Sequence, residues 1–113
     1  MSLAALDYPS PEPKGLEEWF FANLDSHQRI IFGAKQSLKV VLPLYQIYPV
    51  NMKDLPNWAN LHQQQHNDMN AVLGLTSNDL TDVDFNDDRQ RTAFYFLHLQ
   101  EHRSALQSLG LGL

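Results

Sequence analysis

The chain contains no cysteine, which excludes a disulfide framework, a thiolate zinc site and a cysteine nucleophile. Basic residues are scarce: 8 Lys and Arg stand against 13 Asp and Glu, a formal charge of -5 with histidine counted neutral. Sequence-independent binding to a phosphate backbone needs clustered cations, so no nucleic-acid partner is expected. No run approaches the roughly 20 apolar residues that span a bilayer, and no membrane association is expected either. Met1 to Leu6 is apolar but lacks the basic segment and long apolar core of a secretory signal. A Gly-rich phosphate loop, a nucleophile elbow and a Ser-His-Asp order are all missing. Asp25, Ser26 and His27 are neighbours, but neighbours on a helix point about 100° apart and form no triad. No catalytic residue is nominated, and the balance is against an enzyme. With 113 residues, 43% of them apolar and 19% charged, the chain has enough apolar surface for one small core and too little charge for disorder.

Hydrophobic spacing predicts an all-α fold. Residues 1–15 hold Pro9, Pro11 and Pro13 and read as an extended arm, because proline fixes φ and removes a backbone donor. From Leu16, apolar residues recur every three or four positions through Trp19, Phe20, Ile30, Ile31, Ala34 and Leu38, which predicts a helix over 16–40, ended by Pro43. The Pro43 to Val50 segment reads as an extended, aromatic connector. A second helix is expected over 55–73, with Asp54 as N-cap, Pro56 in the first turn and Gly74 in the left-handed position after its end. Its core face would carry Leu55, Trp58, Ala59, His62, His66, Met69 and Leu73. A third helix is expected over 86–109, closed by Gly110, with Ala93 or Phe94, His98, His102, Ala105 and Leu109 facing inward. The three make a single helical domain over 16–113, expected as an up-down-up bundle.

The five histidines are where the pattern becomes specific. Placing Leu61–Leu75 over Leu97–Leu111, an offset of 36, superposes Leu61/Leu97, His62/His98, Gln64/Gln100, His66/His102, Leu73/Leu109 and Gly74/Gly110. Trp58 falls over Phe94. An offset of 39 places Trp19, Asn23 and His27 on Trp58, His62 and His66. Each helix thus carries aromatic-x-x-x-(His/Asn)-x-x-x-His, and six inward slots hold His27, His62, His66, His98, His102 and Asn23. Residues four apart lie one turn apart on one face, about 6 Å along the axis, the spacing by which one helix chelates one metal.

Two readings of this layer stand side by side. In the first, the five histidines ligate a transition metal, as a structural clamp or as a site with an open position for water; imidazoles without thiolate suit zinc, iron, copper or nickel alike, and zinc or iron is the expected ion. Asn23, Glu101, Asp25 and Asp68 lie on or beside the inner stripe and are candidates for orienting the ligands' second nitrogens. In the second, the histidines form a metal-free polar layer, with Asn23 completing it, that protonates below pH 6 and loosens the bundle. Neutral imidazoles each need one donor and one acceptor placed, which is hard to satisfy for five together.

The pattern resembles, at the level of the motif, the His-x-x-x-His and His-x-x-x-Glu helices of hemerythrin-like bundles. It departs from them in having three helices and no inward carboxylate to bridge two irons, so di-iron and oxygen chemistry does not carry over. The run Trp58 to Gly74, Asp79-Leu80, the acidic loop and Phe94 to Gly110, with Trp19 to His27 ahead, also resembles small proteins of unknown function encoded in tailed-phage genomes. That resemblance implies a viral or prophage origin, hence a place in the host cytoplasm or the virion. Asp82-Val83-Asp84 is similar to the start of a calcium loop, but Asp87 and Ala93 stand where that loop needs glycine and glutamate. The acids there are expected to cap the third helix. Trp19, Phe20, Phe21, Trp58, Phe94, Tyr95 and Phe96 are more aromatics than one inner face holds. Phe21 and Tyr95 are therefore expected to pack under the Pro43 to Val50 connector or against a partner, either a second copy or a phage structural protein.

Overall fold

A computed structural model describes residues 13–43, 55–81, 83–84 and 87–111, with side chains placed for 19–43 and from 57 onward. Three helices account for most of them: α1 (Pro13–Leu38), α2 (Leu55–Leu73) and α3 (Asp88–Ser108). Among the described residues there is no strand. The expected arm falls largely on 1–12, and most of the expected extended connector on 44–54, outside the described residues. Helix α1 begins at Pro13, three residues before the expected start at Leu16. Proline costs little in a first turn, where its missing N–H would have no intrahelical partner, so Pro13 starts the helix that it was read as preceding.

The helix ends follow backbone chemistry. At α3, Asp87 is the N-cap and its carboxylate accepts from the Gln90 N–H, the capping role expected of the acidic loop. Gly74 and Gly110 adopt positive φ of 71° and 72°. The next N–H closes each turn: Leu75 donates to Asn70 O and Leu111 to Leu106 O, both at 2.8 Å. Helix α1 ends without a glycine. Lys39 takes the left-handed conformation at φ 59°, and Val40 N–H reaches back to Ala34 O at 3.5 Å.

The helices run in the same direction, which corrects the up-down-up expectation. Contacts between antiparallel helices pair rising numbers with falling ones; here the differences stay constant. Trp19 meets Trp58 and His27 meets His66, both 39 apart. Trp58 meets Phe94, His62 meets His98 and His66 meets His102, all 36 apart. Trp19 meets Phe94 and His27 meets His102, 75 apart. Farther along, the side chains of Leu109 and Leu111 crowd Gly33, where an added Cβ would lie 2.7 Å from Leu111 Cδ1 and 3.1 Å from Leu109 Cδ1. Matching the same order of aromatic and polar residues on all three helices brings like layers together only when the helices are parallel.

Parallel neighbours require the chain to return to the starting end between helices, within the 16 residues that separate α1 from α2 and the 14 that separate α2 from α3. The return is about 30 Å, within reach of a largely extended segment of that length. The described parts of both connectors lie along α2: Gln65 Nε2 donates to Pro43 O at 2.9 Å, and Leu80 N–H donates to Gln63 Oε1 at 2.6 Å. Leu80 is buried and pins the second connector to the core.

Trp19, Phe20, Trp58, Phe94 and Tyr95 build an apolar layer toward the helix N-termini. Tyr95 lies inside it, its ring 5.5 Å from Trp19, and so does not form the outer face expected of it. Among the described residues, Phe21, Phe32 and Phe96 are the exposed aromatics, at 50%, 63% and 65% of full exposure. Of the alternatives at the start of α3, Phe94 faces inward and Ala93 outward. Leu38 is exposed because α1 has run past the end of the core. The side chains of Leu16 and Leu55 are outside the described ones.

Candidate metal centre

The layer next to the aromatics is polar. All five histidines and Asn23 are buried, with His66 the most exposed at 1%. The aromatic one turn ahead of each first histidine shapes it: Trp58 stacks on His62 at 4.6 Å and 13°, and Phe94 on His98 at 5.4 Å and 16°. Stacking fixes the plane of each imidazole, and the two Nε2 atoms face each other at 3.1 Å.

The Nε2 atoms converge. His66 Nε2 lies 3.1 Å from His27 Nε2, 3.0 Å from His62 Nε2 and 3.2 Å from His102 Nε2, while His98 Nε2 lies 3.1 Å from His62 Nε2. One ring nitrogen from each of the five falls within 4.8 Å of every other. The Nδ1 atoms point outward. His66 Nδ1–H donates to Glu101 Oε1 at 3.0 Å, and His102 Nδ1 pairs with Ser26 Oγ at 2.7 Å. Glu101 is itself held, Oε1 by Asn70 Nδ2 at 2.7 Å and Oε2 by the Asn78 N–H and Nδ2, both at 2.9 Å.

These contacts cannot all be hydrogen bonds between neutral imidazoles. With its Nδ1–H given to Glu101, a neutral His66 has one in-plane lone pair at Nε2, and three nitrogens crowd it. The arrangement leaves surplus lone pairs facing a common centre, which is what a cation uses. Burial lowers the pKa of His27, His62, His98 and His102 well below the usual value, and mutual repulsion within the cluster adds to the effect. These four are therefore held neutral, the protonation state a ligand needs. For Glu101, burial pushes the pKa up, but the hydrogen bonds from His66 and Asn78 outweigh it and leave the carboxyl below its ordinary range. An ionised Glu101 fixes His66 in the tautomer that bares Nε2.

Of the residues expected behind the ligands, Glu101 stands there. Asn23 is in the layer itself, with no hydrogen-bond partner at either amide atom among the described residues. Asp68 accepts from Gln64 on an exposed face, and Asp25 is half-buried; neither gathers with the histidines. Ser26, Asn70 and Asn78 were not expected. Ser26 and Glu101 occupy the same place in the repeat, one residue before the second histidine, and this is the signal that could have found them. Gln65 is the third residue at that place. Going round the bundle in the same sense it would serve His27, but it bonds Pro43, and His27 Nδ1 has no hydrogen-bond partner among the described residues. On the outer side of Glu101 lies a cavity of about 190 Å³ walled by Asn70, Thr76, Asn78 and Ser104.

No protein family, curated protein or solved structure matches the chain. The class that the fold and site define is a parallel three-helix bundle with a buried multi-histidine layer. No described helix is long and apolar enough to cross a membrane.

Proposed function

We propose that the protein is a metal-binding helical bundle in which His27, His62, His66, His98 and His102 hold one transition metal, zinc or iron, as a clamp on the three helices. The observation that carries this reading is the convergence of five Nε2 atoms, four of their separations lying between 3.0 and 3.2 Å, with Glu101 and Ser26 bonded to the Nδ1 atoms behind. At metal–nitrogen distances of about 2.0–2.1 Å, neighbouring ligands on one ion sit roughly 3.0–3.4 Å apart. Elemental analysis of the full chain should find one equivalent of metal. At free metal about 100 times Kd, the linkage is worth about 2.7 kcal/mol and raises the melting temperature by roughly 10 °C, reversed by chelator. His66→Ala should lose this increment. A chain without stoichiometric metal whose melt ignores chelator would end the reading. The resemblance noted in the sequence supports a phage or prophage origin, acting in the host cytoplasm or in the virion. Phe21, Phe32 and Phe96 are the surface through which a second copy or a phage structural protein would be met.

Burial of four neutral imidazoles favours a second reading, a metal-free layer that responds to acid. Their folded pKa values lie below the ordinary 6.5, so below that pH the unfolded chain binds more protons than the folded one. Stability is then complete above about pH 6.5 and falls as the pH drops, by up to about 1.4 kcal/mol per pH unit for each imidazole. Urea unfolding of metal-free protein should give a lower midpoint at pH 5 than at pH 7.5; equal midpoints would remove this reading.

A further inference from the structure

The six slots form two triads stacked along the axis: Asn23, His62 and His98 in one, His27, His66 and His102 in the other. Two facing triads, when staggered, are the two opposite faces of an octahedron. With metal–nitrogen bonds of about 2.1 Å, ligands on an octahedral edge sit about 3.0 Å apart, against about 3.4 Å for a tetrahedron. The observed edges run from 3.0 to 3.2 Å, both within a triad (His66 to His27, His66 to His102, His62 to His98) and between triads (His62 to His66). These four lie nearer the octahedral edge than the tetrahedral one. Opposite ligands would be about 4.2 Å apart, so the widest pair, at no more than 4.8 Å, draws in slightly on binding.

The sixth slot is Asn23. It lies one turn from Trp19 and one turn from His27, all three at 0% exposure on the same face of α1, so its carboxamide faces the layer. Neither its Oδ1 nor its Nδ2 has a hydrogen-bond partner among the described residues. A buried amide without partners is destabilising unless something satisfies it. Its side chain is also about one bond shorter than an imidazole reaching to Nε2, so where five imidazoles touch a shared ion the carboxamide stops short of it.

Resting on the metal reading above, we infer that the bound ion is six-coordinate, with five imidazoles and a sixth, exchangeable position beside Asn23. That position takes water, or a small monodentate anion in its place, with the Asn23 carboxamide as its hydrogen-bond partner. The site is thus a small-ligand site as well as a clamp.

The test uses the full chain loaded with Co(II), read by visible absorption and titrated with cyanate. The wild-type protein should bind one cobalt with the weak bands of six-coordination, and cyanate should shift them along a saturable one-to-one curve. Asn23→His fills the sixth slot with imidazole and should abolish the cyanate response while keeping one cobalt. Asn23→Asp, close in shape, sets a negative charge beside the position and should weaken cyanate at least tenfold, again with one cobalt bound. The Asp variant keeps the test valid if the larger histidine prevents folding. Cobalt bound one-to-one without any cyanate response in the wild type, or with the same response in every folded variant, overturns this inference alone. Failure to bind cobalt overturns it together with the metal reading.

Discussion

Glu101 is the residue that ties the polar layer, through His66, to the second connector. It takes the His66 Nδ1–H on one oxygen and is steadied by Asn70 and Asn78, so it both orients a ligand and supplies negative charge behind it. Outer carboxylates of this kind are worth 10–100-fold in metal affinity. Glu101→Gln keeps the size and one acceptor oxygen but removes the charge, and should weaken metal binding by about that factor in a competition titration. An unchanged affinity would mean that Glu101 serves only the connector. Its role was legible in the sequence because it neighbours His102 on the helix, one step off the inner stripe. The roles of Asn70 and Asn78 were not, since they depend on where the returning connector lies. Asp68 illustrates the converse: a carboxylate at a similar offset from the stripe bonds Gln64 on the same helix instead.

At the scale of the element, the three helices and most of their ends could be read directly. Periodicity fixes where an amphipathic helix exists, and Gly74 and Gly110 mark left-handed closures that few other residues adopt easily. α2 spans the expected Leu55–Leu73. The end of α1 was less legible, because Lys39 carries no glycine signal yet sits at φ 59°. A Cβ in that region costs about 1 kcal/mol or more. Lys39→Gly should therefore stabilise the protein by about 0.5–1 kcal/mol in urea unfolding, reduced by the loss of the Lys39 Nζ bond to Gln36 O and by the entropy of glycine in the unfolded chain. A loss of stability would show that this bond outweighs the backbone strain.

For the whole molecule, the direction of the helices was the part that periodicity could not supply. A hydrophobic stripe reads the same whichever way its helix runs. The information lay in the fixed order of the repeat, aromatic then His or Asn then His on all three helices, which only parallel packing turns into layers of like residues. Cysteine-free chains accept site-directed labels cleanly, so the arrangement can be measured with pairs at exposed positions. Labels at Gln36 on α1 and Ala71 on α2, both exposed, should lie close, whereas labels at Gln36 and Asn57 should be separated by about 27 Å along the axis; the reverse order of distances would restore an up-down-up bundle.

The returning connectors also bear on how quickly this fold can form. Neighbouring helices in an up-and-down bundle meet near their shared turn, but here equivalent residues on adjacent helices are 36 or 39 apart along the chain, and those on α1 and α3 about 75 apart. Each helix pair can dock only after a long loop has closed, and the entropy of loop closure slows that step. The bundle should therefore fold more slowly than an up-and-down helical bundle of the same size. Its histidine layer, drawn from all three helices, is the point at which those closures meet.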